Sequence, residues 1–143
     1  MASDFSMRAM NAVHRGILKI SGGRLGWHAR GMPMLELTTT GRKSGQQRAT
    51  MLSSPLQLDG SYVIVASRGG DDVNPAWFLN LVSDPNVEVI IGGAPREKRL
   101  ARVATAEERA ELWPTITAEF ENYAGYQEKT DREIPLVFLD PVG

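Results

Sequence analysis

The chain has 143 residues, no cysteine, two histidines and a formal net charge of -1. The length suits one domain that buries its own core, and the composition excludes disulfides, thiolate metal sites and cysteine nucleophiles. His14 and His28 lack zincin spacing and have no G-x-S-x-G partner, so neither a metal site nor hydrolysis by those devices is expected, and any redox chemistry would rest on a bound organic cofactor.

The small net charge conceals a division. Residues 1–50 hold eight Lys/Arg against two Asp/Glu, and residues 51–143 hold eight against fifteen. This suggests an anionic partner for the basic part, or else scattered solvated arginines. The overall pI near 6.1 gives no nucleic-acid signature.

Residues 5–20 space Phe5, Ala9, Met10, Val13, Ile17 and Leu18 helically, with Arg8, Arg15 and Lys19 between them. This predicts an amphipathic helix that packs on the domain, with peripheral membrane contact or a lid over the substrate as alternatives. Ser21-Gly22-Gly23 ends it, and residues 1–32 are read as this helix and its connection. No apolar run is long enough for a transmembrane helix, and charged residues break up any signal-like stretch, which points to the cytoplasm, with the inner face of the membrane as a peripheral site.

Residues 33–143 read as the main domain. Strands are expected at 34–40, 48–58, 61–67, 87–91, 99–103 and 134–139, with Pro55 marking an edge or bulge and Asp59-Gly60 a hairpin. Asn74-Pro75 is expected to cap a helix over 76–82. Thr105 and Glu108 form a capping box for a helix to about Trp113, where Pro114 interrupts. A further helical stretch is expected over 123–129. Six strands with short separate helices indicate an α+β domain on a mostly antiparallel sheet or small barrel.

The stretch 37–48, LTTTGRKSGQQR, places Arg42, Lys43 and Arg48 within seven residues around a turn flanked by Gly41 and Gly45, with Ser44 as a hydroxyl donor. Such a turn suits a phosphate or carboxylate-rich ligand through its side chains and an amide nest; a basic surface hairpin has the same look. Ser67-Arg68-Gly69-Gly70 follows an apolar strand, and Asn74-Pro75-Ala76-Trp77 opens a helix whose N-terminus also attracts anions. Phe120, Tyr123 and Tyr126 share a helix face, either as a core stripe or as an aromatic wall with a phenol able to deliver a proton.

These residues resemble the deazaflavin-dependent nitroreductase family of actinobacteria. The likeness rests on LTTTGRKSGQQR (37–48), VIVASRGG (63–70), NPAWFLNL (74–81), DPNVEV (84–89), ATAEERAELWP (104–114) and YQ..TDR.IP (126–135), in family order. It implies a split β-barrel related to the FMN-binding split barrels, with about six mostly antiparallel strands. It also implies coenzyme F-420, an 8-hydroxy-5-deazaflavin with a phosphate and an oligoglutamate tail; FMN is the alternative cofactor. A non-catalytic protein that binds cofactor or lipid is a further alternative.

By motif, Arg42, Lys43 and Ser44 are expected at the phosphate or tail, with Arg48, Ala49, Thr50, Met51, Leu52 and Ser53 along the cofactor. Val65, Ala66, Ser67 and Arg68, with Ala76, Trp77, Phe78, Leu79 and Asn80, are expected on its other side. Phe120, Tyr123 and Tyr126 are expected to meet the substrate, Tyr123 also to contact the cofactor, and Tyr126, Ser67 or water to deliver the proton. The implied reaction passes hydride to an electron-poor acceptor: a quinone, an enone or a nitroaromatic. Ser53 stands where nitroimidazole-activating members have an aromatic residue, and Phe120 where they have tyrosine. The substrate wall is therefore smaller and less polar, which speaks against nitroimidazoles. Arg68 replaces a family lysine and brings a forked donor. The resemblance leaves oligomeric state open.

Overall fold

A computed structural model describes residues 28–29 and 32–142. The elements in chain order are β1 (His28–Ala29), β2 (Met32–Thr40), β3 (Gln47–Ser53), β4 (Leu56–Leu58), β5 (Ser61–Val65), a 3-10 turn (Arg68–Gly70), α1 (Ala76–Ser83), β6 (Asn86–Ile91), β7 (Glu97–Val103), α2 (Ala106–Glu119), α3 (Glu121–Glu128) and β8 (Leu136–Pro141). All strand pairs are antiparallel, in the order β1-β2-β6-β7-β8-β5-β4, with β3 branching from β2. No ladder joins β3 to β5 among the described residues, so the curled sheet stays open on that side, as a split barrel requires. The expected N-terminal helix over 5–20 lies outside the described residues. Backbone pairing of His28–Ala29 with Pro33 and Met32 carries the sheet back past the expected boundary at residue 33.

Alternation along two strands builds two cores. On β5 and β8, Ile64, Val137 and Leu139 join Leu35, Leu37, Val87 and Val89 on one face, closed by Phe78 and Leu81 of α1. Val63, Val65, Leu136 and Phe138 point the other way, where Ile116 of α2 and Tyr123 and Tyr126 of α3 cover them. A strand covered on both faces loses the polar half of its period-2 pattern, which is why SYVIV reads as a continuous apolar run.

The segment expected as one strand over 48–58 is two. The chain breaks at Ser54-Pro55, sending β3 to β2 and β4 to β5. Ser54 is fully buried at this seam. Its N–H donates to the Pro33 carbonyl at 2.9 Å and its hydroxyl to the Val63 carbonyl at 2.8 Å. The hairpin at Asp59-Gly60 is present, with φ of 50° and 85° as a type I′ turn demands. The Thr105–Glu108 capping box is also present: Glu108 N–H donates to Thr105 Oγ1 at 3.1 Å and Thr105 N–H to Glu108 Oε1 at 2.9 Å.

Two expectations about helices are corrected. Residue 74 is not the N-cap of α1. Pro75 holds that position with no side-chain cap bond, and the Asn74 amide oxygen instead accepts from Arg132 Nη1 at 2.8 Å. The helix α2 does not end at Trp113 but runs through Pro114 to Glu119. Beside that proline, the Thr117 hydroxyl donates to the Trp113 carbonyl at 3.0 Å.

Candidate functional site

The β2–β3 turn carries the basic cluster. Arg42, Lys43, Ser44 and Arg48 are all exposed. None of the three cationic side chains makes an ion pair among the described residues, whereas Arg96, Arg99, Arg102 and Arg109 each meet a carboxylate. Three like charges held this close repel one another, and an anionic ligand relieves the repulsion.

The backbone of the turn contributes less than expected. Its N–H groups at Gly41 and Gly45 donate to Gln46 and Gly41 carbonyls, that of Arg42 to Asn80 Oδ1 at 3.1 Å, and that of Gln46 to Ser44 Oγ at 3.2 Å. Four amides of the supposed nest are already committed, so the side chains carry the anion chemistry. Gly45 has a φ of 72°. At Gly41 the space is tight instead: a Cβ there would lie 2.8 Å from Ser44 Oγ, which would have to turn away, and 3.2 Å from the Gln46 carbonyl oxygen.

Helix α1 completes a groove of about 390 Å³ between itself and the turn, lined by Gly41, Arg42, Lys43, Ser44, Arg48, Ala49, Thr50, Ala76, Trp77 and Asn80. Ala76 and Trp77 lie in the first turn of α1, where N–H groups lack intrahelical partners and the helix dipole is positive. Trp77 is half-buried and sets its indole edge-on to Phe78, with ring centroids 6.4 Å apart. Asn80 is buried, and its two amide groups serve the protein: Oδ1 accepts from Arg42 N–H, and Nδ2 donates to Thr39 Oγ1 at 3.1 Å. It ties α1 to the turn and so shapes the groove.

A second group forms where the turn after β5 meets α3. Ser67 is buried, at 3% exposure, and Tyr126 and Tyr123 at 7% each. The two tyrosine rings are edge-to-face with centroids 6.0 Å apart, and Tyr123 Oη lies 3.6 Å from Met32 Sδ. The Ser67 and Tyr126 hydroxyls have no hydrogen-bond partner among the described residues, a cost that a ligand hydrogen bond would remove. Phe120 is half-buried against this cluster, between α2 and α3. Arg68 sits half-buried with an ion pair to Asp71 at 3.5 Å.

Of the residues singled out along the sequence, those from Arg42 to Thr50, with Ala76, Trp77 and Asn80, share the groove. Met51, Val65, Ala66 and Phe78 are buried, with their side chains in the cores. Leu52 and Leu79 pack against one core, and the Ser53 hydroxyl is 3.0 Å from Met34 Sδ. For the four buried residues, contact with a ligand is left to the backbone; Leu52, Ser53 and Leu79 are half-buried.

Arg132 went unassigned in the sequence although it stands in the motif TDR.IP. Its guanidinium donates to the Ser67 carbonyl at 2.9 Å. Burial pulls its pKa below the ordinary guanidinium value, while Asp71 and Asp72 act against that shift. Among the described residues, no group of three or more His, Cys, Asp or Glu is placed to hold a metal, and no helix is long and apolar enough to cross a membrane.

Comparisons with known proteins bear on this arrangement. A family model described as F420H(2)-dependent quinone reductase matches residues 8–141. An F420H(2)-dependent quinone reductase of Mycobacterium tuberculosis (strain H37Rv) is 37% identical over 140 residues, covering 93% of this chain and 88% of that protein. Among solved structures, an F420-H2-dependent reductase (FDR-A) is 38% identical, with a TM-score of 0.66, over 76% of this chain and 94% of that one. Another, described as a domain-swapped dimer, is 36% identical with a TM-score of 0.69, over 90% of this chain and 96% of that one.

Proposed function

The chain belongs to the family of F420H(2)-dependent quinone reductases, and from that premise we propose that the groove between the β2–β3 turn and α1 holds the anionic end of coenzyme F-420 while the Ser67–Tyr126 region serves the reacting end. The observation that carries this reading is the set of three cations without an ion-pair partner among the described residues, Arg42, Lys43 and Arg48, facing one groove with the positive end of α1 and an indole beside it. That donor set fits a phosphate followed by carboxylates.

When bound, the reduced cofactor supplies a hydride to an electron-poor acceptor, which takes up a proton with it. The chain's own part is to bind, orient and deliver that proton. Arg42, Lys43 and Arg48 neutralise the ligand's charge, and Ser44 keeps its O–H free to donate while its oxygen accepts from Gln46. Tyr126 and Ser67 hold hydroxyl protons without internal partners, so either is free to hydrogen-bond the acceptor oxygen and pass its proton. Phe120, Tyr123 and Tyr126 form the wall that a flat acceptor stacks on. A quinone satisfies both demands: it is planar, and its oxygens accept. We extend the proposal to a cytoplasmic enzyme touching the inner face of the membrane through the amphipathic segment 5–20 that the sequence predicts to be helical. The amphipathic spacing over 5–20 supports that extension.

The test is a titration of the purified chain with oxidised and reduced F-420, followed by Trp77 fluorescence, with FMN as control. Turnover is then measured with a quinone, an enone and a nitroaromatic. Saturable F-420 binding with quinone turnover is expected; a protein that purifies with FMN, or reduces no quinone with the reduced deazaflavin, fails this reading. Flotation with anionic vesicles tests the membrane contact.

A further inference from the structure

Arg132 lies in the connection between α3 and β8 and has no place in the groove. Its five guanidinium hydrogen bonds all go to one loop, 58 to 66 residues away in sequence. Nε donates to the Asp71 carbonyl at 2.8 Å. Nη1 donates to Asn74 Oδ1 at 2.8 Å and to the Ala66 carbonyl at 3.3 Å. Nη2 donates to the Ala66 and Ser67 carbonyls at 3.3 and 2.9 Å.

Those acceptors bracket an unusual stretch of backbone. Arg68, Gly69 and Gly70 have φ of 47°, 65° and 90°, three consecutive residues in the left-handed region. Glycine tolerates this, but Arg68 carries a Cβ that disfavours it. The carbonyls of Ala66 and Ser67 stand before the turn and that of Asp71 after it. Ala66 and Ser67 are buried and lie past the end of β5. The Ser67 carbonyl also accepts from Gly70 N–H at 2.9 Å, but among the described residues the Ala66 carbonyl is met by Arg132 alone, and without it that oxygen would have lost water and gained nothing. The guanidinium takes the place of a strand partner.

The same turn abuts α3. A Cβ on Gly70 would lie 2.8 Å from the Tyr126 carbonyl oxygen and 3.0 Å from Lys129 Cδ. Arg132 is itself tied to α3, since Gln127 Nε2 donates to its carbonyl at 2.7 Å. Thr130 adds a hydroxyl bond to Asp72 Oδ1 at 2.8 Å. A continuous polar chain therefore runs from the helix that carries Tyr126 to the loop that carries Ser67.

We propose that Arg132 is a positioning residue of this enzyme: its guanidinium locks the left-handed Arg68–Gly70 turn and so fixes Ser67 and Arg68 against Tyr126. The proposal rests on the reading above that Ser67 and Tyr126 serve the reacting end. A planar fork with donors on three nitrogens meets acceptors on both sides of the turn at once; a lysine ammonium keeps the charge but not that spread.

The test uses the full chain with Arg132→Lys and Arg132→Ala. Amide hydrogen exchange, which needs no cofactor, is expected to quicken about tenfold over residues 66–73 in both variants while β5 and β8 stay protected. With reduced F-420 and a soluble quinone, kcat is expected to fall about tenfold in the lysine variant and further in the alanine variant, because small displacements of reacting groups are costly. Cofactor Kd, set by groove cations that Arg132 does not touch, is expected to stay within about threefold. Wild-type kcat and exchange in Arg132→Lys overturn the proposal. So does faster exchange spread equally over β5 and β8, which makes Arg132 a general stabiliser. Absence of quinone turnover in the unaltered chain fails the functional reading instead, and the exchange comparison still decides whether the lock exists.

Discussion

The groove at the β2–β3 turn and the buried cluster around Ser67 and Tyr126 solve opposite problems. The groove displays three cations on exposed side chains, and four backbone amides of its turn are spent on holding that turn's shape. The Ser67–Tyr126 region buries its hydroxyls, leaves them without internal partners, and relies on Arg132 to hold the backbone that presents them. One region attracts charge from water and tolerates movement of its side chains. The other holds a geometry, and its parts are interlocked. Binding strength and chemical rate should therefore fail separately when the two are altered separately.

The largest expected effect breaks the groove alone. Lys43→Ala combined with Arg48→Ala should weaken F-420 binding about a hundredfold at low salt, through loss of charge-assisted bonds to an anionic ligand. Turnover at saturating cofactor should be retained, and the deficit should narrow as salt rises. A titration at two ionic strengths, with kcat alongside, checks this; an equal loss of kcat would merge the two regions.

Next comes Asn80→Ala, which removes one buried and one partly buried hydrogen bond and leaves the Thr39 hydroxyl and the Arg42 amide unmet. It should cost about 2 kcal/mol of stability in a denaturant melt and weaken cofactor binding by loosening the turn. Tyr126→Phe deletes only the unpartnered hydroxyl. It should leave the melting temperature in place and lower kcat about tenfold, with the fall easing at lower pH if water supplies the proton instead. Rapid-mixing measurement of cofactor oxidation across pH reads this directly.

The smallest effect lies outside both regions. Hydrogen bonding to Arg102 and to the Thr105 amide holds the Glu108 carboxyl below its ordinary value of 4.5. A depressed acid stabilises the fold above the unfolded value, and the gain fades as pH falls through the folded one. Glu108→Gln should thus cost about 0.5 kcal/mol at neutral pH, a mostly exposed pair being well screened. The difference from the unaltered chain should shrink as pH falls below the unfolded value and vanish once pH has passed the depressed folded one, in thermal melts run across the acid range.

What the sequence makes readable follows from where the determining contacts lie. Asp59-Gly60, the Thr105–Glu108 box and the basic turn are local devices, and each is found in place because its partners sit within a few residues. The family resemblance supplied the split barrel and the cofactor class, and the family match over residues 8–141 agrees with it. The break at Ser54-Pro55 was not readable as a change of sheet neighbour, since Ser54 is held by the Pro33 and Val63 carbonyls. Asn74 looked like a cap because its competitor, Arg132, is remote. Arg132 itself went unseen for a related reason. Most of its acceptors are backbone carbonyls, which every residue carries and no sequence pattern marks.

The sheet covered on both faces has a consequence for how the molecule comes apart. Ile64 and Val65 are neighbours on β5, yet one belongs to the core closed by α1 and the other to the core under α3. Neither core can open at this strand without exposing the other, so the side closed by α1 and the side under α3 share one cooperative unit. A cavity cut on either side of that wall should appear as a single lowered transition rather than as two.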